Sequence, residues 1–210
     1  QDFTIAYKGF IQGAEEGILP DENGEKYLKV VESGGGNRHN HFLKSGEKAN
    51  NLHNILITFN NPTDGAINIM SDEYGNYTIK SPFDGEYMIM AAQQKGKVYK
   101  DSLQPFQLRS LYSLAGLQFV IPEPEVKGKI GVVETSAQLS DQADAIILEV
   151  SSKGETEEVR VMGGKGRTNP PVKVTVGGWE FWLSYGAEQL TLPFSIKLND
   201  FIAERYPGTQ

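Results

Sequence analysis

The chain has 210 residues, 39% of them hydrophobic, which suits one large β domain or two small ones and argues against disorder. With Lys plus Arg at 20 and Asp plus Glu at 27, the net charge is −7, and no basic cluster offsets it. That balance argues against nucleic acid or an anionic lipid surface as the main partner. No apolar run approaches the roughly 20 residues that a spanning helix needs, so the polypeptide is expected to be soluble. Gln1 opens no signal peptide, so a processed or excised piece is expected. Cysteine is absent, which removes disulfide scaffolds, Cys-ligated zinc, Fe–S clusters and thiol catalysis together, without fixing the compartment.

In chain order, residues 12–25 carry five acids and no base and read as an exposed acidic loop. Gly34-Gly35-Gly36 then precedes Arg38-His39-Asn40-His41, which places that His pair in a mobile loop. Ile55, Ile57 and Phe59 alternate with Leu56 and Thr58, the period of a strand. Residues 67–70 and 77–80 predict a strand pair bent at Tyr74-Gly75-Asn76-Tyr77. Residues 87–91 read as a core strand holding Met88 and Met90. Residues 101–116 fit a helical stripe and a strand alternation almost equally, and one short helix is allowed there.

Pro122-Glu123-Pro124 marks a boundary between two β-rich halves, 1–122 and 123–210, which could also combine as one domain. In the second half, a hairpin joins 145–150 to 158–162 through Ser151-Ser152-Lys153-Gly154-Glu155. Another is expected from Val174 to Phe181 with Gly177-Gly178 at its tip. After Gln189, Leu190, Leu192, Phe194, Ile196 and Leu198 fall on one face of a predicted strand, with Pro193 confining part of it to a sheet edge. The expected architecture is all-β, a sandwich or two packed antiparallel sheets with at most one short helix.

Candidate chemistry is sparse. His39 and His41 form an H-x-H pair that could chelate a metal on a strand, and His53 follows. The nearest acids, Glu32 and Glu47, lack diagnostic spacing, so a solvated loop is the stronger reading. Acid–base chemistry at a sugar would need converging carboxylates. Glu15-Glu16, Glu123 with Glu125, and Glu157-Glu158 are the candidates, and strand neighbours such as the last pair point to opposite faces. Gly163-Gly164-Lys165-Gly166-Arg167 lacks the spacing of a phosphate-binding loop and reads as a turn with a basic tip. Trp179, Phe181, Trp182 and Tyr185 cluster late in the chain. Trp182 lies opposite Trp179 and Phe181 and is a candidate contact surface.

The last third carries a longer signature. Leu192-Pro193-Phe194, then Leu198-Asn199-Asp200-Phe201, then Glu204-Arg205-Tyr206-Pro207-Gly208-Thr209 resembles the ResB-like (CcsB-type) cytochrome c biogenesis proteins. Leu117-Gln118-Phe119-Val120-Ile121-Pro122 followed by Lys127-Gly128 is similar to the version in fused CcsB–CcsA proteins of Bacteroidetes type. The resemblance covers roughly the last 100 residues. It implies the extracytoplasmic domain of a membrane protein that handles haem and helps attach it to the CxxCH thiols of apocytochrome c. The parent would be a holocytochrome c synthase component tethered to the cytoplasmic membrane. Apocytochrome c and the parent's membrane segments would be the partners of the domain, with no nucleic acid. Haem would belong to the parent, with no cofactor in this domain and no catalytic residue carried over. None of His39, His41 or His53 falls in a matching motif. In that family the signature runs on into a further strand, so an unpaired sheet edge is expected here. Pro207-Gly208 also suits an ordinary turn, and Asp200 and Arg205 could pair locally, which favours a structural role for the signature. From the residues alone, a cell-envelope β-sandwich that binds glycan or protein is the alternative, and a hydrolase using an acidic pair is a weaker one.

Overall fold

The computed structural model describes residues 3–34, 37–135, 142–188, 190–191, 193–195 and 197–200. These residues fold as strands, turns and loops, with no helix among them. The first half supplies β1 (Phe3–Gly34), β2 (Asn37–Lys44), β3 (Asn50–Leu52), β4 (Ile55–Phe59), β5 (Ile67–Ser71), β6 (Tyr77–Lys80), β7 (Gly85–Ile89) and β8 (Gln94–Val98). It ends with β9 (Leu103–Pro105), β10 (Ser110–Leu114) and β11 (Leu117–Val120), and the second half supplies β12 (Val126–Glu134), β13 (Ala143–Ser152), β14 (Glu155–Gly163), β15 (Val172–Val176) and β16 (Trp179–Leu183). A large sheet runs β14-β13-β1-β11-β10-β7-β8, with β2 and β12 also paired to β1. A second sheet runs β3-β4-β5-β6-β9, and β15-β16 is a separate hairpin.

Four hairpins close on two-residue turns in which both residues have positive φ, as a type I′ turn requires. They are His53-Asn54 (48° and 66°), Ala115-Gly116 (49° and 86°), Lys153-Gly154 (49° and 87°) and Gly177-Gly178 (59° and 81°). Their twist matches that of the flanking strands, which fixes register tightly. The 145–162 hairpin therefore turns more tightly than the sequence suggests, with Ser152 facing Glu155 directly. The β5–β6 connection is an Asx turn: Asp72 accepts from the Tyr74 and Asn76 amides and from Asn76 Nδ2.

β1 organises both halves. Residues from Phe3 to Ala14 pair with β13, Ala14 to Tyr27 with β12, and Tyr27 to Gly34 with β2. Val31 and Glu32 also face β11. The ladder to β12 breaks at a corner, where Pro20 and Glu25 both face Gly128. Beyond the corner the strand folds back, so Glu15 reaches Lys29 at 3.6 Å and accepts from Asn40 Nδ2 at 3.1 Å. A Cβ on Gly128 would strike the Leu19 carbonyl oxygen, and one on Gly24 would strike the Gly128 backbone. The corner thus needs two glycines for close backbone approach. On the outer side of β12, Arg160 Nη1 from β14 donates to the Val132 carbonyl at 2.9 Å.

Two apolar clusters form. The larger joins Leu28, Val30 and Leu43 to the second sheet and to β10–β11, around Tyr112. The Tyr112 ring stacks against Phe106, Tyr87 and Phe119 at 4.4, 5.2 and 5.6 Å. Its hydroxyl accepts from the Gln107 amide, and burial pushes its pKa well above the usual phenol value. The smaller cluster holds Val150, Val159 and Val161 against Val174 and Val176 of the hairpin.

Several expectations change. Residues 12–25 are strand rather than acidic loop, because β12 supplies a backbone partner and Lys29 and Asn40 meet Glu15. Arg38 to His41 belong to β2, not to a mobile loop, because β1 pairs with them residue by residue. Residues 101–116 take the strand alternative as β9 and β10, interrupted by Pro105 and by Arg109 at φ 57°. Met90 lies past the end of β7 in an exposed turn, so it shares no core face with Met88. One pair, β4–β5, is parallel: Asn68 accepts from the Thr63 amide and donates to the Thr63 and Ala66 carbonyls, holding the crossover loop. The described residues between 190 and 200 form no strand. Leu190, Phe194 and Leu198 are exposed there, because a period-two segment gains nothing until a sheet edge receives it.

Gly128→Ala should cost about 2–3 kcal/mol in urea unfolding, the scale of a forced backbone shift; a loss below roughly 0.5 would contradict the corner geometry. The hydrogen bonds on Asp72 hold its carboxyl below its ordinary value of 3.8, led by Asn76. A depressed folded pKa gives stability that is present above the unfolded pKa and lost as pH falls through the folded one. The stability gap between the wild type and Asp72→Asn should therefore narrow on acidification, as followed by thermal melts across pH.

Candidate functional site

The core face of β1 carries Leu28, then Val30, then Glu32, each two residues on. Glu32 is only 2% exposed. A buried carboxylate needs partners, and two imidazoles supply them. His41, on the neighbouring strand β2, places Nε2 at 3.0 Å from Glu32 Oε2. His53 places Nε2 at 2.6 Å from Oε1. A carboxylate can only accept, so each imidazole presents its Nε2–H to it.

His53 reaches the carboxylate because it occupies the first position of the β3–β4 turn, in left-handed backbone. Asn51 Oδ1 braces that turn by accepting from the Asn54 amide at 2.8 Å. The β10–β11 turn lies across from it. Between the two turns is a cavity of about 330 Å³, lined by Glu32, Ser33 and His53 on one wall and by Gly116, Leu117 and Gln118 on another. The arrangement can orient two imidazoles and present hydrogen-bonding groups to a small polar ligand.

Sequence spacing did not indicate this cluster. It joins positions 32, 41 and 53, and only the acid falling in phase with Leu28 and Val30 betrays it. His39 stays exposed on β2, opposite Glu32. Among the described residues, no group of three or more His, Asp and Glu is arranged to hold a metal ion.

The acidic pairs are placed apart. Glu15 meets Lys29 and Asn40, Glu125 meets Lys26, and Glu158 meets Arg160. Residues 163–167 form a turn, with the Arg167 amide donating to the Gly164 carbonyl. Trp182 is 63% exposed on the hairpin's outer face, with Lys173 Nζ 5.6 Å from its ring centroid. Pro193, Phe194 and Asp200 of the C-terminal signature are exposed, whereas Leu192, Phe201, Arg205, Tyr206, Pro207 and Gly208 lie outside the described residues. Comparison with protein-family models, curated proteins and solved structures finds no match to the chain.

The Glu32 clasp predicts coupling. A double-mutant cycle between Glu32→Gln and His53→Asn, the latter keeping a residue that tolerates positive φ, should give about 1–3 kcal/mol of interaction energy in chemical unfolding. Additive effects would mean that the two side chains do not act together.

Proposed function

We propose that this chain is the extracytoplasmic part of a ResB-like cytochrome c biogenesis protein, of the type fused as CcsB–CcsA. It acts there as a scaffold or apocytochrome-handling module on the outer side of the cytoplasmic membrane. Haem is carried by the parent protein, a holocytochrome c synthase component, and the domain itself is no enzyme. The observation that carries this reading is the C-terminal signature, from Leu192-Pro193-Phe194 to Tyr206-Pro207-Gly208-Thr209.

Two features support a handling role. A chain without Cys forms no mixed disulfide with a CxxCH pair, which suits a guide rather than a reductant. The sheets also end in strands, such as β8 and β3, with one partner each among the described residues. Such edges receive extended peptide by strand addition.

Titration with a CxxCH peptide, followed by NMR, should shift amides along one strand edge; no binding at millimolar peptide would remove the apocytochrome role. A pulldown with apocytochrome c, with haem titration read by absorbance, tests the parent assignment separately. The exposed Trp182 with Lys173 over its ring favours a second reading, a cell-envelope β-sandwich that binds glycan or protein. On that reading, glycan-array binding is lost in Trp182→Ala while the fold is kept.

A further inference from the structure

The aromatic stack around Tyr112 follows one row across four strands. Register puts Phe119 of β11, Tyr112 of β10, Tyr87 of β7 and Gly96 of β8 side by side. The Phe119 and Tyr112 rings stack at 5.6 Å, and the Tyr112 and Tyr87 rings at 5.2 Å. The last position of the row is a glycine, and a Cβ there would strike the Tyr87 ring. The ring therefore lies over Gly96 and carries the apolar row to the border of the sheet. At that border β8 pairs only with β7 among the described residues.

The other face of β8 is charged. Val98 is buried and Gly96 lies under Tyr87, so strand alternation turns Lys95 and Lys97 outward, where both are exposed. Across the ladder they face Met88 and Glu86. Neither ammonium has an ion-pair or hydrogen-bond partner among the described residues.

Alternate residues of β8 direct their N–H and C=O groups away from β7, which leaves a half-ladder for one more strand. A second copy of β8 paired there about Gly96 would set lysine against lysine, which is unfavourable. An acidic strand meets the same positions with opposite charge. β3 and β9, which end the other sheet, have only three residues each.

We propose that the open edge of β8 receives an extended acidic segment of a partner protein, with carboxylates beside Lys95 and Lys97 and an apolar side chain between them, next to Gly96 and the Tyr87 ring. This rests on the strand-addition reading above and adds the charge and spacing of the segment received. The two lysines both exclude a second copy of the strand and select the partner.

The probe is a capped peptide of about nine residues with Glu-Val-Glu at its centre and neutral Thr and Val flanks, set against its counterpart with Lys-Val-Lys. In NMR titrations the acidic peptide should bind about ten-fold more tightly, as two cross-strand charge pairs allow. The net charge of −7 would by itself favour the basic peptide, so the opposite preference reports the local edge. The preference should shrink as salt is raised. The acidic peptide should shift the β8 amides and the Tyr87 ring protons. Lys95→Glu combined with Lys97→Glu should reverse the preference with the circular dichroism spectrum unchanged. No binding of the acidic peptide at millimolar concentration, equal affinity for the two peptides, shifts confined to another edge, or a preference that survives the double reversal would overturn the proposal. Failure of the CxxCH titration alone removes the apocytochrome role and leaves the acidic selectivity standing, whereas failure of the acidic peptide alone removes only that selectivity.

Discussion

One strand belongs to both cores, and the rest of the architecture follows from that. β1 delivers Leu28 and Val30 to the larger cluster and, through its first residues, backs the sheet under the smaller one. A single strand of 32 residues cannot serve two cores while straight. The corner between Pro20 and Glu25 resolves this, and the mutual approach of Gly24 and Gly128 permits it. The corner in turn brings Glu15 to Lys29 and Asn40, which neutralises charge in an otherwise acidic stretch.

Much of this was legible from residue patterns where the pattern was local. Gly177-Gly178 announced its hairpin, and the alternation from Ile55 to Phe59 announced β4. The ambiguous 101–116 stretch resolved as strands because β7 and β11 flank β10 and compete successfully for its backbone. What local patterns could not show was long-range pairing. Nothing near residues 12–25 reveals that β12 waits more than 100 positions away, and without that partner the acids look like a loop. The His53 position was hidden for another reason: two non-glycine residues in left-handed backbone make a turn that lacks the usual Asn-Gly or Gly-Gly marker.

The polar site and the C-terminal signature carry different kinds of information, one a geometry and the other a residue pattern. The clasp of Glu32 by His41 and His53 joins β1, β2 and the β3–β4 turn, so it locks the rim of the larger core as it orders two imidazoles. Beside the smaller core, Ile5, Tyr7 and Phe10 leave apolar surface open. Strand addition, where it occurs, draws its free energy from edges that folding has left available.

The guanidinium of Arg160 has a consequence beyond its own hydrogen bond. It sits where the outer borders of β12 and β14 approach, and it occupies a carbonyl that another polypeptide's amide would otherwise claim. Two bare ladders side by side are the template from which intermolecular cross-β stacks grow, and a bulky cation across them is a guard against that growth. A single side chain thereby closes one carbonyl on the border of β12 to the amide of an incoming strand.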